Sequence, residues 1–243
     1  MNHDASPPGP AGPPRTTPLA GLAVLGTVMF GVAMLGVAVA AFLSFGMFVR
    51  MLSVPLRTPD WHVWVGTFNG IALITLAALP VAALTAWALA RRRRALGTTA
   101  AWRRSFAEVG IAYGTVPWVW ITMIPGSGAG VVPGRLSLVP LQDLATMGSA
   151  GIIGNLLVLA ALGALAPLRF AALRSVPRVL ALAAACSALI EVAQLVLRLD
   201  RVSSVDDVLL NTAGAGLAAL VSRPWWRSLP RAAGTRTPVA PAT

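Results

Sequence analysis

Apolar positions in this chain fall in long blocks separated by short polar stretches. Six blocks stand out, at residues 19–49, 63–90, 108–124, 149–168, 179–197 and 208–222. A helix that crosses the hydrocarbon core of a bilayer needs about 20 consecutive apolar residues. All six blocks meet or approach that length, the third and sixth being the short ones. The pattern predicts an all-α integral membrane protein with six transmembrane helices.

Composition supports this reading. Hydrophobic residues make up 56% of the 243-residue chain and charged residues only 11%, against roughly 25% charged in an average soluble domain. Too few charges remain to cover a soluble fold of this size, so lipid must solvate much of the surface. The single cysteine, Cys186, lies inside an apolar block. It excludes a disulfide within the chain and reads as a small packing residue.

The net charge of +11 comes from arginine alone. Most of these arginines flank apolar blocks, as helix anchors facing anionic headgroups do, and this argues against nucleic-acid binding. With the N-terminus on the cytoplasmic side, Arg15, Arg91 to Arg94, Arg103, Arg104, Arg169, Arg174, Arg178 and the arginines from Arg223 onward all fall inside. Only Arg50, Arg57, Arg135, Arg198 and Arg201 fall outside. That alternation follows the positive-inside rule for six spans, with both ends cytoplasmic, in the plasma membrane. Ala38-Val39-Ala40 resembles a signal cleavage site, but the apolar stretch around it is too long for a signal peptide and only one arginine precedes it. The expected organisation is a disordered cytoplasmic tail at 1–18, two helices with a basic cytoplasmic loop over 19–107, a four-helix membrane unit over 108–222, and a basic, Pro-rich cytoplasmic tail at 223–243.

Polar residues inside the apolar blocks carry the candidate chemistry. Ser187, Glu191, Gln194 and Arg198 follow at spacings of four, three and four, on one helix face. A carboxylate at mid-bilayer costs about 2.5–3.5 kcal/mol on insertion scales, so this stripe must face other helices. Asp207, Asn211 and Gly214 repeat the pattern in the sixth block, and Asn155 lies two turns into the fourth. The loop 125–148, with Arg135, Pro140, Gln142 and Asp143, is long for a plain connector and is expected to dip partly back into the protein. Under the six-span topology these residues converge, with Arg201 and Asp206, on the outer side.

The stretch from Ser187 to Gly216 resembles the signature of the VanZ-like membrane protein family, through Glu191, Gln194, Arg201, the Asp206-Asp207 pair, Asn211, Thr212 and Gly214. Arg135, Leu138 and Pro140 are similar to that family's Arg-containing Asn-Leu-x-Pro-Phe element, with Ser137 and Leu141 replacing its Asn and Phe. Asn155, Gly163 and Pro167 resemble its next helix, where Ala161 replaces a usual proline. The resemblance covers about 110–222 and leaves the first two helices outside. It implies a bacterial cell-envelope role linked to low-level resistance to teicoplanin, a lipid-tailed glycopeptide, and names no reaction.

The expectation is therefore an outward-facing polar site that binds or modifies an amphiphilic envelope molecule, such as a lipid-linked wall precursor or a lipoglycopeptide. Arg135 and Arg201 would contact anionic groups, and Glu191 would be the catalytic acid or base if chemistry occurs. Asn155, Gln194, Asp206, Asp207 and Asn211 would complete a ligand-binding set. Membrane lipids are the expected surroundings. No cofactor is implied, and Asp206 with Asp207 is a thin ligand pair for a divalent cation. No Ser/His/Asp set, P-loop or His-rich zinc motif is present. Two other classes stand beside this reading. One is a scaffold or immunity protein whose buried polar residues only hold helices together. The other is a small transporter, against which the Ala-, Leu-, Val- and Gly-rich inner halves of the last three blocks argue.

Overall fold

The computed structural model describes residues 60–229. The first apolar block, the tail at 1–18 and the residues from 230 onward lie outside them. A short helix α1 (Trp61–Val65) is capped by Asp60, and α2 (Phe68–Ala95) follows at once with Thr67 as its N-cap. Next come α3 (Ala101–Thr122), a long loop containing β1 (Arg135–Ser137), α4 (Ser149–Val158), α5 (Ala160–Arg169), a 3₁₀ turn, α6 (Val176–Val196), β2 (Val202–Ser204) and α7 (Val205–Arg227).

Among the described residues four helices are long and apolar enough to cross a membrane: α2, α4 and α5 taken as one rod, α6 and α7. Helix α3 is 22 residues long, but Arg103, Arg104 and Glu108 occupy its first turns. It begins earlier than the third apolar block because those charged residues are helical too. The last helix likewise outruns its block. Residues 223–227, expected in the tail, continue α7 through Pro224.

Large apolar side chains cover the outside, among them Leu79 (51% exposed), Leu84 (64%), Leu189 (68%) and Val221 (72%). A soluble monomer seldom exposes so much contiguous apolar surface, whereas lipid solvates it freely. Small residues make the interior. Helix α7 packs on α4, α5 and α6, while α3 lies between α2 and α5. Gly214 meets α4 so closely that an added Cβ would stand 1.9 Å from the Leu156 carbonyl oxygen, and Gly163 meets Ala215 in the same way. Ala215 and Ala219 are fully buried at this seam. The Gly110/Gly114 pair faces Leu165 and Ala161 across α3 and α5, whereas Gly66 and Gly70 meet only the adjoining α1 segment.

Two features bracket the bundle. At one end Glu108 of α3 accepts from Arg93 of α2 and Arg169 of α5, tying three helices with one carboxylate. At the other end β1 and β2 pair in parallel, with Arg135 opposite Val202 and Ser137 opposite Ser204. This small sheet amends the all-α expectation. Non-helical backbone between membrane helices must find partners for its N–H and C=O groups, and two loops lying side by side supply them to each other.

Candidate functional site

The sheet joins the loop 125–148 to the turn between α6 and α7, and this junction roofs a polar cavity of about 260 Å3. Its walls are Thr122, Arg135, Asn155, Glu191, Gln194, Asp200, Arg201, Val202, Asp207 and Asn211. The helical spacing explains the convergence. Ser187, Glu191 and Gln194 are buried on one face of α6, at 0%, 8% and 6% exposure, and Asp207 and Asn211 lie one turn apart on α7.

Each side chain is held. Glu191 Oε2 accepts from the backbone N–H of Ser204 at 3.0 Å, and its own carbonyl accepts from the Ser203 hydroxyl. Gln194 donates to the Thr122 carbonyl at 2.9 Å. Asn155 donates to Asp207 Oδ1 at 2.5 Å. Asn211, 1% exposed, donates to the Ser187 hydroxyl at 2.8 Å, and its Oδ1 has no protein partner. Glu191 pairs with neither arginine: Arg135 pairs with Asp200 at 3.2 Å, and Arg201 donates to the carbonyl of Ile124 at 3.1 Å.

Of the eight candidate residues, Arg135, Asn155, Glu191, Gln194, Arg201, Asp207 and Asn211 line the cavity, and Asp206 does not. Successive residues of a helix are rotated by about 100°, so Asp206 points away from Asp207 and under the loop. There Oδ1 accepts from Leu141 N–H at 2.5 Å, and Oδ2 accepts from Asp143 and Leu144 N–H at 2.9 and 3.0 Å. Its acceptors are spent on backbone, and the two carboxylates do not face a common point. Among the described residues no group of three His, Cys, Asp or Glu side chains could hold a metal ion. Arg198, the last member of the predicted α6 stripe, lies beyond the helix end at φ +49° and is exposed.

Three residues that sequence reasoning passed over or left without a role complete the architecture. Asp200, at φ +55°, accepts from Gly128 N–H at 2.9 Å as well as from Arg135, so both partners hold a strained turn in place. Ser204 caps α7 by accepting from Asp206 N–H, and it donates to Asp143 Oδ2 at 2.5 Å. The hydroxyls of Ser204 and then Ser137 hold the Asp143 carboxyl below the usual carboxylate range. A Ser two residues before Asp, at the start of an apolar block, was the readable signal for the cap; the loop contacts left none.

A second cavity of about 630 Å3 lies beside the first. It is mainly apolar, with Phe68, Trp118, Ile121, Met147, Ile153 and Val158 in its walls. The two share Thr122, Asn155, Arg201 and Asp207.

Long apolar helices around a polar cavity define a helical membrane protein. Residues 111–227 match the family model VanZ/LLP1. The match supports a VanZ-like assignment for that stretch, which contains every residue of the polar cavity. No curated protein and no solved structure matches the chain.

Proposed function

We propose that this protein binds an amphiphilic cell-envelope molecule, with the headgroup in the polar cavity and the hydrocarbon tail in the apolar cleft. The observation that carries this reading is the shared wall of Thr122, Asn155, Arg201 and Asp207 between a polar and an apolar space. A ligand that is polar along its whole length would leave the cleft's aromatic and aliphatic walls unused, and a purely apolar one would cover the second carboxylate oxygens of Glu191 and Asp207 without offering them a donor. Asn211 Oδ1 and the second oxygens of Glu191 and Asp207 offer acceptors to hydroxyl or amino groups of the head, while Arg201 offers donors to an anionic group. Should a bond be made or broken, Glu191 is the acid or base at hand.

The placement in the plasma membrane, with six spans and the cavity facing outward, belongs to this proposal, as does a part in resistance to lipid-tailed glycopeptides. Lipid-linked wall precursors and lipoglycopeptides are the ligand classes that fit a head-and-tail site. Full-length protein in an uncharged detergent should bind teicoplanin at least tenfold more tightly than vancomycin, which lacks the tail. An Ile153→Trp variant, which fills the cleft, should remove most of that difference. Equal affinity for both glycopeptides, unaltered by Ile153→Trp, would overturn the head-and-tail reading. It would leave the buried polar residues as helix-joining groups.

A further inference from the structure

A third cavity lies at the opposite end of the bundle from the polar cavity. It measures about 310 Å3 and is walled by Arg174, Ser175, Pro177, Arg223, Trp226 and Arg227, among others. We propose that this cavity binds the phosphate headgroup of an anionic phospholipid.

Its position is at headgroup level, because α6 starts at Val176 and α7 ends at Arg227, and both are long enough to cross a membrane. Three of the described residues in its walls are arginines, and none of the described ones is a carboxylate. The carboxylate at this end of the bundle, Glu108, is held by Arg93 and Arg169. Arg223 and Arg227 stand one turn apart on α7, where like charges repel each other unless an anion lies between them. The first turn of α6 adds partial positive charge from amides that have no intrahelical acceptor. Arg174 is steered into place by donating from Nε to the Pro167 carbonyl at 3.3 Å. The floor is rigid: Trp226 is 4% exposed and its Nε1 donates to the Ala219 carbonyl at 3.2 Å.

A lipid, rather than a free anion, is indicated by what adjoins the cavity. Leu220 stands one turn from Arg223 on the same face of α7 and is 45% exposed, and Trp225, at the same end of α7 but outside the cavity wall, is 63% exposed. Acyl chains descending from a phosphate at the arginines would cover Leu220, and an exposed tryptophan at a helix end suits the membrane interface. Basic pockets between membrane helices bind anionic headgroups on these grounds.

The test uses full-length protein in an uncharged detergent, titrated with short-chain phosphatidylglycerol, with phosphatidylcholine of equal chain length, and with inorganic phosphate, while thermal unfolding is followed. Phosphatidylglycerol should raise the midpoint at concentrations at least tenfold below those needed with phosphatidylcholine. Arg223→Gln/Arg227→Gln should erase that preference while keeping the lipid-free midpoint, since both side chains are exposed. If the double variant fails to fold, Arg227→Gln alone serves in its place and should at least halve the preference. Equal responses to the two lipids, or a preference unchanged in the variants, would overturn the proposal. Stabilisation by inorganic phosphate equal to that by phosphatidylglycerol would overturn the lipid assignment.

Discussion

The side-chain amide of Asn155 donates to Asp207 Oδ1 at 2.5 Å, across 52 residues of sequence. The bond ties α4 to α7 at the shared wall of the two cavities. The same Nδ2 also donates to Met147 Sδ at 3.8 Å, which fixes the amide's orientation. Asn155→Leu leaves a partly buried carboxyl without its donor and should destabilise the protein by about 1–3 kcal/mol. A double-mutant cycle with Asp207→Asn, followed by thermal unfolding in micelles, should show coupling of the two sites. Strictly additive effects would mean that the bond contributes nothing to the fold.

Asp206 holds the loop over the cavity through three backbone N–H groups. Removing it with Asp206→Ala should free the segment 141–144 at a cost of about 3 kcal/mol. Hydrogen exchange should report this directly, with faster exchange at Leu141, Asp143 and Leu144 and little change in α2. Unaltered protection at those three amides would contradict the anchoring role.

Close packing of α7 on α4 rests on the missing side chain at Gly214. Gly214→Ala should lower the yield of folded protein sharply, because the intruded atom is backbone and cannot swing aside. Gly154→Ala is the matched control. An added Cβ there meets nothing within 4 Å, and Ala is favoured over Gly in a helix by roughly 0.5–1 kcal/mol. Equal yields from the two variants, measured by size-exclusion chromatography in detergent, would refute the seam.

Asp143 gives the loop a pH dependence of known sign. Its folded-state pKa is depressed by the Ser204 and Ser137 hydroxyls, so its contribution is complete above the unfolded value of about 3.9. The contribution is lost as pH falls through the lower folded value. Proteolytic nicking of 138–148 with an acid-active protease should rise below about pH 4 in the wild type. Asp143→Asn should lack that component of the rise. Identical acid profiles for the two proteins would show that Asp143 does not fasten the loop.

How much of this was legible in the chain varies by element. The apolar blocks from residue 63 onward reappear as helices because their signal is local: twenty apolar residues in lipid can satisfy their backbone only as a helix. The buried polar face of α6 was equally readable, since burial of Ser187, Glu191 and Gln194 follows from helical spacing and the cost of a carboxyl in hydrocarbon. The first block lies outside the described residues. The ends of α3 and α7 ran past their apolar limits because charged residues at an interface stay helical at little cost.

Sequence by itself thus determined which segments are helices and which polar side chains had to turn inward. Only the tertiary structure decided what they meet there. Glu191 takes the Ser204 amide in place of an arginine, Asp200 takes Arg135, and Asp206 leaves the cavity to hold the loop. The difference is physical. Burial is a property of one residue and its helix, read from spacing and transfer cost. A partner is chosen by the register of β1 against β2 and the approach of α4 to α7 at Gly214, which arise from contacts across 50 to 70 residues.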